Sequence, residues 1–333
     1  MKIAIFARDL GPVGHLRLLD PLRFLGHDVQ YCFVEISPGV VTTRPGILEW
    51  ADVLVVQRDF PGPDLAPICA ALLATRKPLV YETDDIVWAF DTPQSKQARP
   101  HILKIIAAAR LVTVSTPVLA QEISQFNRKV TVLPNYLNDR LWTPHIADPR
   151  ERKARRVKIG YVGSADHFHD INDLRPALVK IVEKYPNVDL CFMGCKPNAI
   201  ERLKHVSCAE ADFDYEAFPE KLARMKLDIG LAPLRDTHLN RCRSPIKFLD
   251  YSLVGAACVA SANSTFDSVV RNGENGFLCE SPSEWFETLS KLVEDKALRR
   301  NVARSGQEEV LGNWMLSAHA DLWETAYRKV LGG

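Results

Sequence analysis

The chain has 333 residues, 47% of them hydrophobic and 25% charged, the make-up of a globular protein in water. Lysine and arginine number 42 against 41 acidic residues, a net charge of +1, which argues against a general nucleic-acid binder. At roughly 100–200 residues per domain the length predicts two domains. No stretch approaches the roughly 20 apolar residues of a membrane span, and the N-terminal apolar run is too short for a secretory leader. The eight cysteines form no CxxC pair and mostly sit in apolar runs. We read them as reduced, packed thiols of a cytoplasmic protein. Cys191, Cys195 and His205 are the one metal-like grouping, and their spacing suits no common site.

In the first 135 residues short β-rich runs alternate with helical patterns. KIAIFA reads as a strand. The glycine-bearing loop GPVGHLR follows, then a helix that turns Leu16, Leu18, Leu19, Leu22 and Leu25 inward. DVQYCFV, DVLVVQ, PLVYET, LVTVS and VTVLPN read as further strands, with PDLAPICAALLATR, HILKIIAAAR and TPVLAQEISQF as helices between them. Apolar runs of about five residues alternating with helices predict a parallel sheet covered on both faces.

Residues 136–156, YLNDRLWTPHIADPRERKARR, are polar, carry two prolines and end in a basic cluster. They read as a solvated linker. A second alternation opens at VKIGYVG. Strands VDLCFMG, LDIGLAPL, AACVAS and GFLC interleave with helices near 171–184, 215–225, 244–254 and 264–271. Three helical segments close the chain. The last, MLSAHADLWETAYRKVL, clusters Leu316, Leu322, Trp323, Ala326, Tyr327 and Val330. Two doubly wound α/β domains in tandem predict a cleft at the carboxyl ends of their sheets, where ligands of open α/β sheets bind.

The densest chemistry lies in RCRSPIKFLDYSLVGAACVAS, residues 241–261. Ser244 before Pro245 predicts a helix start with Ser as N-cap, and Gly255 a helix end. Arg243, Lys247 and Asp250 or Tyr251 then share one face. Basic residues in a first turn oppose the helix dipole at a cost of about 0.3–1 kcal/mol. An anionic ligand would offset that cost, so the spacing predicts a diphosphate cradle. Asp250 is placed to accept hydrogen bonds from ribose hydroxyls.

APLRDTHLNRCRSPIKFLDYSLVGAACVAS resembles the donor-binding segment of retaining GT-B glycosyltransferases, glycosyltransferase family 4 and its close relatives. The resemblance is carried by Pro233, Leu234, Asn240, Arg243, Ser244, Lys247, Asp250, Tyr251, Gly255 and Ala260. Three departures stand out. Asp250 replaces the usual Glu, Arg243 stands where Lys is common, and Cys242 occupies a position where many members carry a sugar-contacting Glu. IGYVGSADHFHDI resembles the opening of the family's second domain, with Gly160, Gly163, Ser164, His167 and Asp170 at matching positions. Gly160 and Gly163 would let the backbone approach a ligand, and Ser164 would donate to it. His167, His169 and Asp170 are read as hydrogen-bonding groups near the donor, not a metal site.

The resemblance implies an α/β GT-B fold: two Rossmann-like domains facing across a cleft, with a C-terminal helix crossing back to the first. We expect an acceptor domain over 1–150, a nucleotide-sugar domain over 151–312 and the crossing helix over 313–333. In the first domain GPVGHLR lacks the GxGxxG dinucleotide fingerprint, so no NAD is expected. Gly14 is placed against the donor or acceptor, with His15 and Arg17 as further candidates. Asp84 and Asp85, adjacent carboxylates after a strand, need a reason for their proximity. Acceptor recognition or base assistance supplies one, and Arg58 could pair with either. The expected activity is retaining transfer of a hexose from a nucleoside-diphosphate sugar to an acceptor hydroxyl, without metal or cofactor. Arg243, Lys247, Asp84 and Asp85 are the catalytic candidates. Gly14, Gly163, Ser164, His167, Asn240, Ser244 and Asp250 are the donor-binding candidates. The partners expected are a nucleotide sugar and a glycan, lipid-linked, protein or small-molecule acceptor, with no nucleic acid and at most peripheral contact with the inner face of a membrane. A sugar-nucleotide epimerase and a binding module without catalysis are the alternatives.

Overall fold

The computed structural model describes residues 1–8, 10–37, 40–60, 66–149, 156–211 and 214–332. The basic residues 150–155 of the expected linker lie outside these. The chain divides into two compact units. One comprises Met1–Tyr136, Cys242–Ser244 and Leu316–Gly333, the other Leu137–Arg241 and Pro245–Met315.

The first unit is built on β1 (Lys2–Phe6), β2 (Asp28–Tyr31), a hairpin of β3 (Phe33–Ser37) and β4 (Val40–Thr43), then β5 (Val53–Gln57), β6 (Leu79–Thr83), β7 (Leu111–Val114) and β8 (Val130–Val132). Six of these form one sheet in the order β2-β1-β5-β6-β7-β8, parallel throughout. All five residues of β5 and of β6 are buried, as strands covered on both faces require. Counted along the chain without the hairpin, the order is 2-1-3-4-5-6, so the winding reverses between β1 and β5.

DVQYCFV, expected as one strand, is two. Tyr31 pairs with Ile5 at the end of the parallel register. Beyond Cys32 the chain leaves the sheet, and Phe33 pairs antiparallel with Thr43. GPVGHLR is not a loop. Pro12 begins a continuous helical run through a π-helical turn, His15–Leu19, to Phe24. The helix expected from His101 starts eight residues earlier, at Pro93, because the Thr92 hydroxyl caps it by accepting from Ser95 N. The closing α-helix is Asp321–Leu331. It buries Trp323, Ala326, Tyr327 and Val330 within the first unit but leaves Leu322 41% exposed, contrary to the expected cluster.

The second unit holds β9 (Val157–Gly163), β10 (Val188–Gly194), β11 (Val206–Ala209), β12 (Ile229–Ala232), β13 (Ala257–Ser261) and β14 (Phe277–Cys279). They pair in the order β11-β10-β9-β12-β13-β14, again all parallel. Counted from β9 this is 3-2-1-4-5-6, the Rossmann order, with its reversal between β9 and β12. The two sheets give a two-domain Rossmann-like α/β fold. Among the described residues no helix is long and apolar enough to cross a membrane.

Candidate functional site

In an open parallel sheet the loops after neighbouring strands diverge where the winding reverses, which leaves a crevice at their carboxyl ends. Each unit has one such point.

In the second unit the loops after β9 and β12 carry the candidates. The Lys247 ammonium donates to Val162 O at 2.7 Å and stands 4.9 Å from the centroid of the Tyr161 ring. It is therefore fixed at the end of β9, one residue before Gly163 and Ser164. Val162 N donates to Tyr251 Oη at 2.9 Å, so Tyr251, buried on the same helix, anchors that strand end. His167 Nδ1 meets Asp170 Oδ2 at 2.9 Å. The other Asp170 oxygen accepts from Arg235 N at 2.9 Å and from Asn240 Nδ2 at 3.3 Å. Asn240 also donates to Arg235 O at 3.0 Å. Asp170 thus ties the loop after β9 to the loop after β12. Arg235 also makes a two-pronged exposed pair with Asp173.

Two glycines there have internal causes. A Cβ on Gly160 would lie 2.4 Å from Leu227 Cδ2 and 2.9 Å from Cys191 O, and one on Gly163 would lie 2.5 Å from Tyr161 Oη. Close packing alone leaves no room for a Cβ at either position.

The helix within residues 241–261 is Ile246–Leu253, with Pro245 as N-cap and no side-chain cap. Ser244 is not the cap. Its hydroxyl is engaged by Asn135 Nδ2 at 2.7 Å, and the helix starts one residue later than expected. Arg243 accordingly lies outside the first turn. The other end follows expectation. Gly255 has φ +79°, Ala256 N donates to Tyr251 O and Gly255 N to Ser252 O, the paired bonds of a Schellman ending. Asp250 is 9% exposed. Burial raises its carboxyl above the usual range, against the pull of Lys247.

In the first unit the segment Cys242–Ser244 is pinned at three points. Thr116 Oγ1 donates to Cys242 O at 2.8 Å. Arg243 Nε stands 3.5 Å from Asp85 Oδ2. Asn135, just after β8, holds Ser244. Asp84 and Asp85 each have a cationic partner of their own, and the charge of Asp84 still raises the Asp85 carboxyl. Asp84 takes Arg58 Nη1 at 2.7 Å, while Asp85 faces Arg243 and accepts from Ile86 N. Burial lifts Asp85 to about 6, with Arg243 opposing. Arg58 has φ 55°, a sparsely populated conformation for a residue with a side chain. It is held by Arg58 N to Glu82 O at 2.9 Å and Tyr81 Oη to Arg58 O at 2.8 Å. The Cys242 side chain is fully buried and burial pushes its thiol up to about 12, so it is an apolar packing group.

Gly14 is buried in the first turn of its helix, where a Cβ would lie 3.3 Å from Leu10 and 3.5 Å from Gln57 Oε1. Arg17 is fully buried and so is no ligand contact. It binds Glu82 at 2.7 Å, Asn135 Oδ1 at 2.9 Å and the Leu133 carbonyl. Its own carbonyl accepts from Trp323 Nε1. His15 stands 3.9 Å from Asp20. Asn135 and Glu82 were not singled out from sequence. The signal for Asn135 was a polar residue directly after a strand and a proline. Among the described residues no group of three potential ligands could hold a metal ion.

Residues 156–295 match the family described as Glycosyl transferases group 1. No curated protein sequence matches the chain. Its fold is shared by the sucrose-phosphate synthase of Thermosynechococcus elongatus (TM-score 0.72, 15% identity, 100% of this chain and 99% of that one). HepE of Anabaena, solved with UDP and glucose, is similar at TM-score 0.70 and 15% identity, over 99% of this chain and 100% of that one. A glycosyltransferase from Rickettsia africae gives 0.68 and 12% identity, over 99% and 98%. The chain has the two-domain Rossmann-like GT-B fold, and a segment of its second unit matches a glycosyltransferase family. The family match does not favour the epimerase alternative.

Proposed function

We propose that the protein transfers a hexose from a nucleoside-diphosphate sugar to an acceptor hydroxyl, with retention of configuration and without a metal. The observation that carries this is the Lys247 ammonium fixed at the end of β9, beside Gly163 and Ser164, at the reversal point of a Rossmann-order sheet. It lies in the segment that matches a glycosyltransferase family. The fold is shared with a protein solved with UDP and glucose.

As the bond between the anomeric carbon and the phosphate oxygen breaks, its electron pair passes to the diphosphate. Lys247, Arg243 and the Ser244 hydroxyl stabilise that developing charge electrostatically, from five residues of chain. The acceptor oxygen forms the new bond, and its proton passes to an oxygen of the departing phosphate. Ser164, His167 and Asn240 position the donor, Asp250 accepts from the ribose, and Asp84 and Asp85 recognise the acceptor. Seven of the eight cysteines are buried and all are free, which supports a reducing, cytoplasmic setting.

The test is Lys247→Ala. Turnover of a nucleotide sugar is expected to fall about 100-fold or more while the thermal unfolding midpoint stays near that of wild type. Unchanged turnover overturns the assignment. Incubation with sugar nucleotide and no acceptor separates the second chemistry: a transferase hydrolyses slowly, and an epimerised sugar would mark an isomerase.

A further inference from the structure

The first unit contains a chain of polar groups that the proposed reaction leaves without a task. Gln57 Nε2 donates to Glu82 Oε2 at 2.7 Å and Arg17 Nε to Glu82 Oε1 at 2.7 Å. Arg17 Nη1 reaches the Leu133 carbonyl and Asn135 Oδ1, and Asn135 Nδ2 ends on Ser244 Oγ. Arg17 and Glu82 are 0% and 1% exposed, and Asn135 is 5% exposed. Such burial makes each bond costly to leave unmade.

The direction of these bonds follows from the chemistry of the groups. A guanidinium has five N–H donors and no acceptor. The Asn135 atom facing Arg17 must therefore be the carbonyl oxygen, which settles an amide orientation that packing alone would leave ambiguous. The amide NH2 then faces Ser244, and Ser244 Oγ must accept from it. A hydroxyl has a single O–H. With a lone pair of Oγ already occupied by Asn135, that proton is free to point away from the protein interior. The Ser244 side chain is partly exposed.

We infer that Asn135, locked by Arg17 and Glu82, is a positioning residue that sets the hydrogen-bond polarity of Ser244, so that this hydroxyl is presented as a donor to an anion. This rests on the reading of Ser244 as a diphosphate contact. A phosphate oxygen is an acceptor only, so a serine held in this polarity is matched to it. A serine whose proton was taken up internally would meet it with lone pairs.

The experiment is a double-mutant cycle on the full chain, read by calorimetric titration of UDP, GDP and ADP, with uridine, guanosine and adenosine as phosphate-free controls. Asn135→Asp keeps an acceptor for Arg17 but also presents an acceptor to Ser244, so the serine proton turns inward. The diphosphate that binds wild type should bind this variant about tenfold more weakly, the size of a hydrogen bond to a charged group. In a Ser244→Ala background the same substitution should change affinity less than twofold, since the group it acts through is gone. Ser244→Thr, which keeps the hydroxyl, should restore the tenfold response, and nucleoside binding should not move.

Thermal unfolding checks each variant. If Asn135→Asp does not fold, Asn135→Ala completes the cycle, with a several-fold loss that again vanishes without the Ser244 hydroxyl. An equal loss in both backgrounds overturns the inference and leaves the proposed function standing. Failure of wild type to bind any of the three diphosphates overturns the proposed function and the inference with it.

Discussion

The carboxyl ends of the two sheets solve the same problem differently. At the end of the first, the charged groups are matched cation to anion: Arg17 with Glu82, Arg58 with Asp84, Arg243 with Asp85. The innermost of these pairs is wholly buried. At the end of the second, the ties are mostly between side chains and backbone. Lys247 bonds to Val162 O, Asp170 to Arg235 N, Asn240 to Arg235 O and Tyr251 to Val162 N. A buried ion pair is rigid but fragile, because removing either partner strands a charge in low dielectric. A bond to a backbone group loses one partner at a time. The contrast gives a first unit held by paired charges and a second whose polar groups hold strand ends in place.

The sharpest way to break this contrast is Arg17→Met. It strands Glu82, whose carboxyl burial already raises against the pull of Arg17. Urea unfolding should show a loss of about 3–5 kcal/mol, and adding Glu82→Leu should recover much of it. If the single variant unfolds like wild type, the first unit does not depend on its buried pair. Asp170→Ala comes next. It leaves Arg235 N–H and part of the Asn240 amide without their acceptor, and the same measurement should register about 1–3 kcal/mol.

Asp250→Asn tests the second unit by pH. The native carboxyl is raised, so between about pH 4 and that raised value the folded state holds a proton that the unfolded chain has released. Stability from this group is therefore full at acid pH and is lost as pH rises. Asparagine carries no such dependence. The unfolding midpoint of Asp250→Asn relative to wild type should climb as pH goes from 4 to 8, and a flat difference would contradict it. The smallest effect belongs to Arg235→Ala. Its pair with Asp173 is 45% and 49% exposed, and chemical denaturation should shift by less than about 1 kcal/mol.

How far the sequence could be read is plain from particular residues. Runs such as VLVVQ and IGLA, bounded by helical patterns, announced parallel strands, because a strand covered on both faces must be apolar throughout. The Gly255 ending was legible too, because a left-handed turn leaves few choices of residue. The Ser-Pro signal fell one residue off. Both Ser244 and Pro245 suit a helix start, and the Ser244 hydroxyl is instead bonded by Asn135, more than a hundred residues away. GPVGHLR looked like a glycine loop, yet its second glycine, Gly14, lies closely packed inside a helix.

Local pattern thus determined the two α/β units, most of their strands and the helix ending at Gly255. Those depend on periodicity and turn chemistry within a few residues. Only the tertiary structure decided which carboxylate faces which arginine, that Arg17 is buried and Arg243 is not, and which way the Asn135 amide points. Each of those is a pairing between groups distant in the chain, and a sequence read locally carries no term for the burial and geometry that select one partner over another.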